Sequence, residues 1–283
     1  MGSDKLNNII EEVERFSVPE GKGKAIAWEG LKAKINRQSE SKGNSRFMWT
    51  KMHMGIAASL ILLIAVFSIL NISSNTTVVT EKGQHLVFFL PDSSKVTLNA
   101  DSKITYDTKN WQTNRTINLE GEAFFQVKKG RKFEVTSNKG TVTVLGTSFN
   151  IYARENNYKV ACVTGKVKVS ANENNQYQVL TPGLQTSIVN SIVNKPSRLV
   201  KGKRAYSWID NEFYFEKISM TQVVKEIERQ YNLSIKIPNN VKERMYTGYF
   251  DTKNIKNTLD KVCLPMGLKY RIVDKRVVIV SVQ

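Results

Sequence analysis

Between Met54 and Ile72 the chain reads MGIAASLILLIAVFSILNI, with no charged residue and only Ser59, Ser68 and Asn71 breaking its apolar character. A helix rises 1.5 Å per residue, so about 19 residues reach the roughly 30 Å hydrocarbon thickness of a bilayer. A buried helix of a soluble core would carry a polar stripe, and a cleaved signal peptide would lie within the first ~30 residues, not well downstream of them. The stretch therefore reads as a transmembrane helix, a retained single-pass anchor over residues 54–72. Lys34, Arg37, Lys42, Arg46 and Lys51 precede it, whereas Lys82 is the only basic residue in the comparable stretch after it. Because basic flanks stay inside, the N-terminus is expected in the cytoplasm and the C-terminal bulk outside.

One anchor would divide the 283 residues into a tail, residues 1–53, and an exported part large enough for one or two domains. The tail is near the size below which a chain cannot bury enough apolar surface alone, which points to folding against a partner. The formal charge of +17 splits into about +3 over 1–53, about +7 over 73–200 and about +7 over 201–283, with no dense block. So even a spread argues against direct nucleic-acid contact and for an acidic protein face or an anionic envelope surface. Cys162 and Cys263 sit among apolar neighbours and read as buried thiols, not as a bridge. His53 and His85 are far apart, so neither a metal site nor a His-based triad is expected, and no cofactor.

Leu6, Ile9, Ile10, Val13 and Phe16 recur at three and four, one stripe of a helix that Pro19 ends. Ile26, Trp28, Leu31 and Ile35 mark a second helix, and Trp28 either packs against Phe16 in a hairpin or anchors a helix-in-groove contact. From Val78 to Val193 short alternating runs take over, among them HLVFFL, KVTLN, AFFQV and KVKVSA, parted by turn residues. This predicts an all-β domain over 78–193; sandwich, small barrel and solenoid all fit, since local pattern sets strand content and not strand order. The basic stretch within 194–205 is a linker. Residues 206–283 read as a small α+β domain ordered βαβ, βα, ββ. Its marks are a strand over Phe213–Glu216, a capping box at Ser219–Gln222, a turn at Pro238–Asn240, a strand over Tyr246–Phe250, a cap at Asn254 and a hairpin across Asp274–Lys275.

Little here suggests catalysis. Glu120 and Glu122 could share a strand face as an acid/base pair, but the intervening Gly121 argues for a bend. Gly146-Thr147 interrupts a strand that would otherwise alternate cleanly. It reads as a bulge, or as a self-cleavage site in which the Thr147 hydroxyl attacks the preceding carbonyl at a strained glycine. Phe213 and Phe215 share one strand face and Tyr214 the other, and one of those faces must be core.

LPDSSKVTLNADSKITY (90–106), LEGEAFFQVKK (119–129), VTVLGTSFNIYA (142–153), VTGKVKV (163–169) and LTPGLQ (180–185), in this order, resemble the periplasmic domain of the FecR family of membrane-bound anti-sigma factors. The stretch from SWIDNEFYFEKISMTQVVKEI to the end is similar to the small domain that closes these proteins in Bacteroidetes, akin to the secretin and TonB N-terminal signalling fold. The resemblance implies a single-pass inner-membrane protein, cytoplasmic at its N-terminus and periplasmic at its C-terminus. Ile26, Trp28, Leu31 and Ile35 would hold an extracytoplasmic-function sigma factor. Trp208, Phe213 and Phe215 would meet the signalling domain of a TonB-dependent outer-membrane receptor, and an intramembrane protease would free the sigma factor. Some members are understood to be cut at the motif holding Gly146 and Thr147. A membrane-anchored, glycan-binding envelope protein is the alternative.

Overall fold

Apolar residues at alternate positions send one face of each strand inward. The computed structural model describes residues 23–40, 56, 58–64, 66, 75–155, 157–174, 176–199 and 205–281. Two units result, Met1–Ile72 and Ser73–Gln283. The second opens with β1 (Asn75–Thr80), β2 (Leu86–Phe89), β3 (Lys95–Leu98), β4 (Ser102–Asp107), β5 (Arg115–Gln126), β6 (Phe133–Thr136) and β7 (Gly140–Val144). There follow β8 (Ser148–Arg154), β9 (Asn157–Thr164), β10 (Val167–Ala171), β11 (Tyr177–Leu180), β12 (Leu184–Val189), β13 (Ile192–Val193) and β14 (Ser197–Arg198).

Two sheets share β5. Its first half pairs with β4 and, in parallel, with β6; its second half pairs with β3 and β8. The strand changes sheets at Gly121, where φ is 105° and a Cβ would stand 2.4 Å from Ser102 Oγ, so a side chain there would collide with β4. The bend also parts the two glutamates: Glu120 lies on the surface against Lys103 Nζ at 3.1 Å, while Glu122 is buried. Between the sheets Phe125 stacks on Phe149 at 5.1 Å and Trp111 meets Phe133 edge-on at 5.9 Å. Phe124, on the other face of β5, is buried too, stacked on Tyr206 at 4.6 Å.

The rest of the second unit comprises a 3₁₀ turn (Ser207–Asp210), β15 (Glu212–Ser219), β16 (Ser234–Lys236), β17 (Met245–Asp251), a second 3₁₀ turn (Leu264–Met266), β18 (Leu268–Val273) and β19 (Arg276–Ser281). Counting the helix Lys24–Glu40 of the first unit as α1, its helices are α2 (Met220–Tyr231), α3 (Asn239–Lys242) and α4 (Ile255–Cys263). β15 pairs with β17, and β16 and β18 flank β19. Val223, Ile227, Leu259 and Val262 carry the helices into a core with Phe213 and Phe250. Pro238–Asn240 is not a simple turn, because Pro238 becomes the N-cap of α3. Ser219 caps α2 by position only: its side chain makes no cap bond, and the Met220 amide donates instead to the Arg244 carbonyl at 2.9 Å. Asn254 does cap α4, its Oδ1 accepting from the Lys256 and Asn257 amides at 2.8 and 3.3 Å. Asn254→Ala should therefore cost about 1 kcal/mol, read as a lower urea midpoint at unchanged slope.

The expected anchor is overturned. Among the described residues no helix is long and apolar enough to cross a membrane. The described helical residues of the 54–72 stretch are Ile56, 58–64 and Val66. The transmembrane helix, the single-pass topology and the inner-membrane localisation with a cytoplasmic N-terminus and periplasmic C-terminus are therefore corrected. The stripe from Leu6 to Phe16 lies outside the described residues.

Candidate functional site

β7 ends at Val144 and β8 begins at Ser148, leaving Leu145, Gly146 and Thr147 as the crossing. Gly146 has a φ of 153°, and a Cβ there would stand 2.5 Å from Lys129 Cα. Such a backbone suits glycine alone. From the other side Gly165 closes so tightly that a Cβ on it would meet Thr147 Cγ2 at 2.4 Å and the Gly146 carbonyl oxygen at 3.1 Å. The neighbouring peptides are tied down. Gly130 N donates to the Leu145 carbonyl at 2.8 Å, Val127 N to the Thr147 carbonyl at 2.9 Å, and Ser148 N to Thr164 Oγ1 at 2.8 Å. Thr147 is buried, and its Oγ1 has no hydrogen-bond partner. Burying a hydroxyl unpaired costs about 1–3 kcal/mol. A nucleophile thus lies beside a peptide gripped from two directions.

A second polar site forms where α2 packs on the sheet of β5 and β8. Glu122 is buried, its two carboxylate oxygens accepting from Asn150 Nδ2 and Asn99 Nδ2, both at 2.8 Å. Neither amide can turn over. Trp208 Nε1 donates to Asn150 Oδ1 at 3.1 Å, while Gln230 Nε2 and the Ala100 amide donate to Asn99 Oδ1 at 3.0 and 2.7 Å. Glu226 of α2 is buried nearby, held by Arg229 Nη2 at 2.7 Å and Gln230 Nε2 at 2.8 Å. Arg154 donates to the Ala100 and Asp101 carbonyls at 2.6 and 2.7 Å. His85 Nε2 lies 2.9 Å from Gln230 Oε1, with its ring edge-on to Trp208. Burial pushes the Glu122 carboxyl up to about 7, and the charge of Glu226 adds to it against the pull of Arg154 and the two amides. Burial works to raise Glu226 as well, but Arg229, Arg154 and the bonds from Gln230 and Arg229 outweigh it and hold that group below its ordinary value.

Trp208, read from the sequence as a contact residue, belongs to this network and is buried; Phe213 is buried against Phe250 at 5.1 Å, and Phe215 is half-buried 5.4 Å from the same ring. The outward face of β15 carries Tyr214, stacked on Tyr249 at 5.6 Å. On α1, Ile26, Trp28, Leu31 and Ile35 are all exposed, Trp28 to 61 %. Trp28, Leu31 and Ile35 share a side at spacings of three and four, whereas Ile26 lies about 160° round the helix from Trp28. Sequence reasoning missed Glu226, Arg229 and Gln230. The available signal was three polar residues interleaved with the apolar face Val223, Ile227 and Tyr231.

Residues 76–168 match the family described as FecR protein, and residues 212–279 the one described as FecR, C-terminal. Two crystal structures of a proposed anti-sigma factor from Parabacteroides distasonis ATCC 8503, at 2.50 and 1.65 Å resolution, are similar to this chain. They share 29% and 28% identity with it at a TM-score of 0.67, over 74% of this chain and 100% of theirs. No curated protein matches the chain.

Proposed function

This chain belongs to the FecR family, and on that premise we propose that it is an anti-sigma factor. In this reading it holds an extracytoplasmic-function sigma factor through α1 and answers the signalling domain of a TonB-dependent receptor through residues 206–283. The likeness to the Parabacteroides distasonis chain supports the first half. The observation that carries it is the side of α1 formed by Trp28, Leu31 and Ile35, three large apolar residues between 50% and 61% exposed and uncovered among the described residues. A short helix that keeps such a side is suited to a groove on a partner. The role is regulatory and needs no turnover, only surfaces whose affinity differs between two partner states. Glycan binding has no comparable observation in its favour.

In the full chain, Trp28→Ala or Leu31→Ala should weaken retention of the sigma factor by about 10- to 100-fold, the loss of one aromatic or aliphatic anchor. Lys32→Glu should do less. Capture of sigma factors from the native cytoplasm, identified by mass spectrometry, reads this out. Unchanged retention by Trp28→Ala with helix content preserved would remove α1 from the interface.

A second reading concerns Thr147 and rests on its orphaned hydroxyl beside the clamped Gly146 peptide. Oγ1 attacks the Gly146 carbonyl carbon, the C–N bond breaks, and the Thr147 nitrogen leaves as an amine, so the amide becomes an ester. Water then opens the ester, regenerating the hydroxyl and leaving a Gly146 carboxylate. One water is consumed, and the event happens once per chain.

A further inference from the structure

The outer face of the three-stranded sheet β16–β19–β18 carries charge of one sign. Val277 and Ile279 of β19, Leu268 of β18 and Ile235 of β16 point into the core, so the alternate residues point out. Register places Lys269 opposite Val280, Arg271 opposite Val278 and Val273 opposite Arg276, and Lys236 beside Val278 on the parallel side. Every outward valine therefore has a cation as its cross-strand neighbour. None of the outward residues of these strands is acidic. Val278 and Val280 remain 41% and 48% exposed. Two cations either side of Val278 stand about 10 Å apart, two strand spacings, and their repulsion is relieved by an incoming negative charge. Among the described residues β18 pairs only with β19, so its other edge is open.

The shape of the face narrows the class of partner. An anionic lipid surface is gripped by long apolar side chains such as Trp, Phe or Leu that enter the acyl boundary, and these valines are short and flush with the sheet. Single-stranded nucleic acid needs aromatic platforms, and no aromatic residue points outward here. What remains is a protein segment with acidic residues at alternate positions. We infer that this face and the open edge of β18 form the docking surface for the receptor's signalling domain, which adds an extended acidic segment beside β18. The inference rests on the receptor reading proposed above. It moves the contact away from Trp208 and Phe213, whose side chains are buried. Backbone pairing along β18 supplies affinity, and Lys269 and Arg271 supply register and speed of encounter.

The test uses the full chain and, as probe, the purified N-terminal signalling domain of a TonB-dependent receptor from the same organism that the wild-type chain captures. The double reversal Lys269→Glu/Arg271→Glu should weaken binding at least tenfold, and wild-type binding should weaken as salt rises. Lys242→Glu, an exposed reversal on α3, and Tyr249→Ala on the other sheet should leave it unchanged. If the double reversal binds as the wild type does, the docking face is wrong and the receptor reading stands. Loss with Tyr249→Ala alone moves the contact to the β15–β17 ribbon and overturns the inference. If the double reversal lowers binding to phosphatidylglycerol vesicles but not to the receptor domain, the face is a lipid surface. Should the wild-type chain capture no receptor signalling domain at all, the receptor reading falls and takes this inference with it. Unchanged binding would also assign Lys269 the simpler task of keeping an open edge from pairing with other chains.

Discussion

Purified wild-type chain, denatured after expression, should separate into two fragments meeting between Gly146 and Thr147, and Thr147→Ala should run as one. The effect is all-or-none because the attacking oxygen is removed. Thr147→Ser keeps a hydroxyl at the same carbon and should still cut. Gly146→Ala would not be a clean test, since its Cβ would stand 2.5 Å from Lys129 Cα and displace the strand. Under native conditions the fragments should stay together. β5 on one side of the cut pairs with β8 on the other, and β7 pairs across it with β10. Co-elution before denaturation and separation after it is the expected pair of results. A wild-type chain still intact by mass spectrometry after prolonged incubation would overturn the reading, leaving Gly146 a bend and the Thr147 hydroxyl a buried group without explanation.

The break at Gly146 was legible because it interrupts an alternation, which is a local property. The clamp was not, since Lys129 and Gly165 reach the peptide from the β5–β6 and β9–β10 connections and no spacing in the sequence places them there. The same distinction runs through the fold. Strand content and the cap at Asn254 follow from neighbouring residues; the sharing of β5 between two sheets depends on long-range pairing that local pattern does not encode. Phe124 and Phe125 illustrate the limit, since alternation sends one inward and says nothing of the Tyr206 ring that buries the other. Hydropathy over 54–72 misled for a related reason. An unbroken apolar run states a preference for an apolar medium and does not by itself fix a spanning helix. Trp208 was noticed as a large aromatic and assigned to a surface, whereas its indole N–H is needed to fix Asn150 beneath Glu122.

Glu122→Ala should be the most destabilising single change at this polar seam, by roughly 3 to 5 kcal/mol, because it leaves two buried amide donors facing nothing and removes a carboxylate to which buried arginines are attracted. Glu122→Gln tests the charge separately. Both asparagines are fixed with their NH2 groups toward position 122, so a glutamine can accept from one and must oppose the other, a cost of about 1–3 kcal/mol. Its value lies in pH dependence. The Glu122 carboxyl rises from 4.5 to about 7 on folding, so the folded chain binds a proton that the unfolded chain has released. Its contribution is fully present below the ordinary value and is lost as pH climbs through the raised one. Wild-type stability should therefore increase as pH is lowered from about 8 to about 5.5, and Glu122→Gln, with nothing to protonate, should show a flatter profile over that window. Glu226 does not confuse the comparison. Its value is depressed, so its contribution is present above the ordinary carboxylate range and is lost only as pH falls through the lowered value. Arg229, its value raised by Glu226 against the cost of burial, keeps its charge over this window. Urea midpoints for the two proteins across this window decide the matter: parallel profiles would show that Glu122 is ionised in both states at neutral pH, and that the two amides and Arg154 offset its burial and the charge of Glu226.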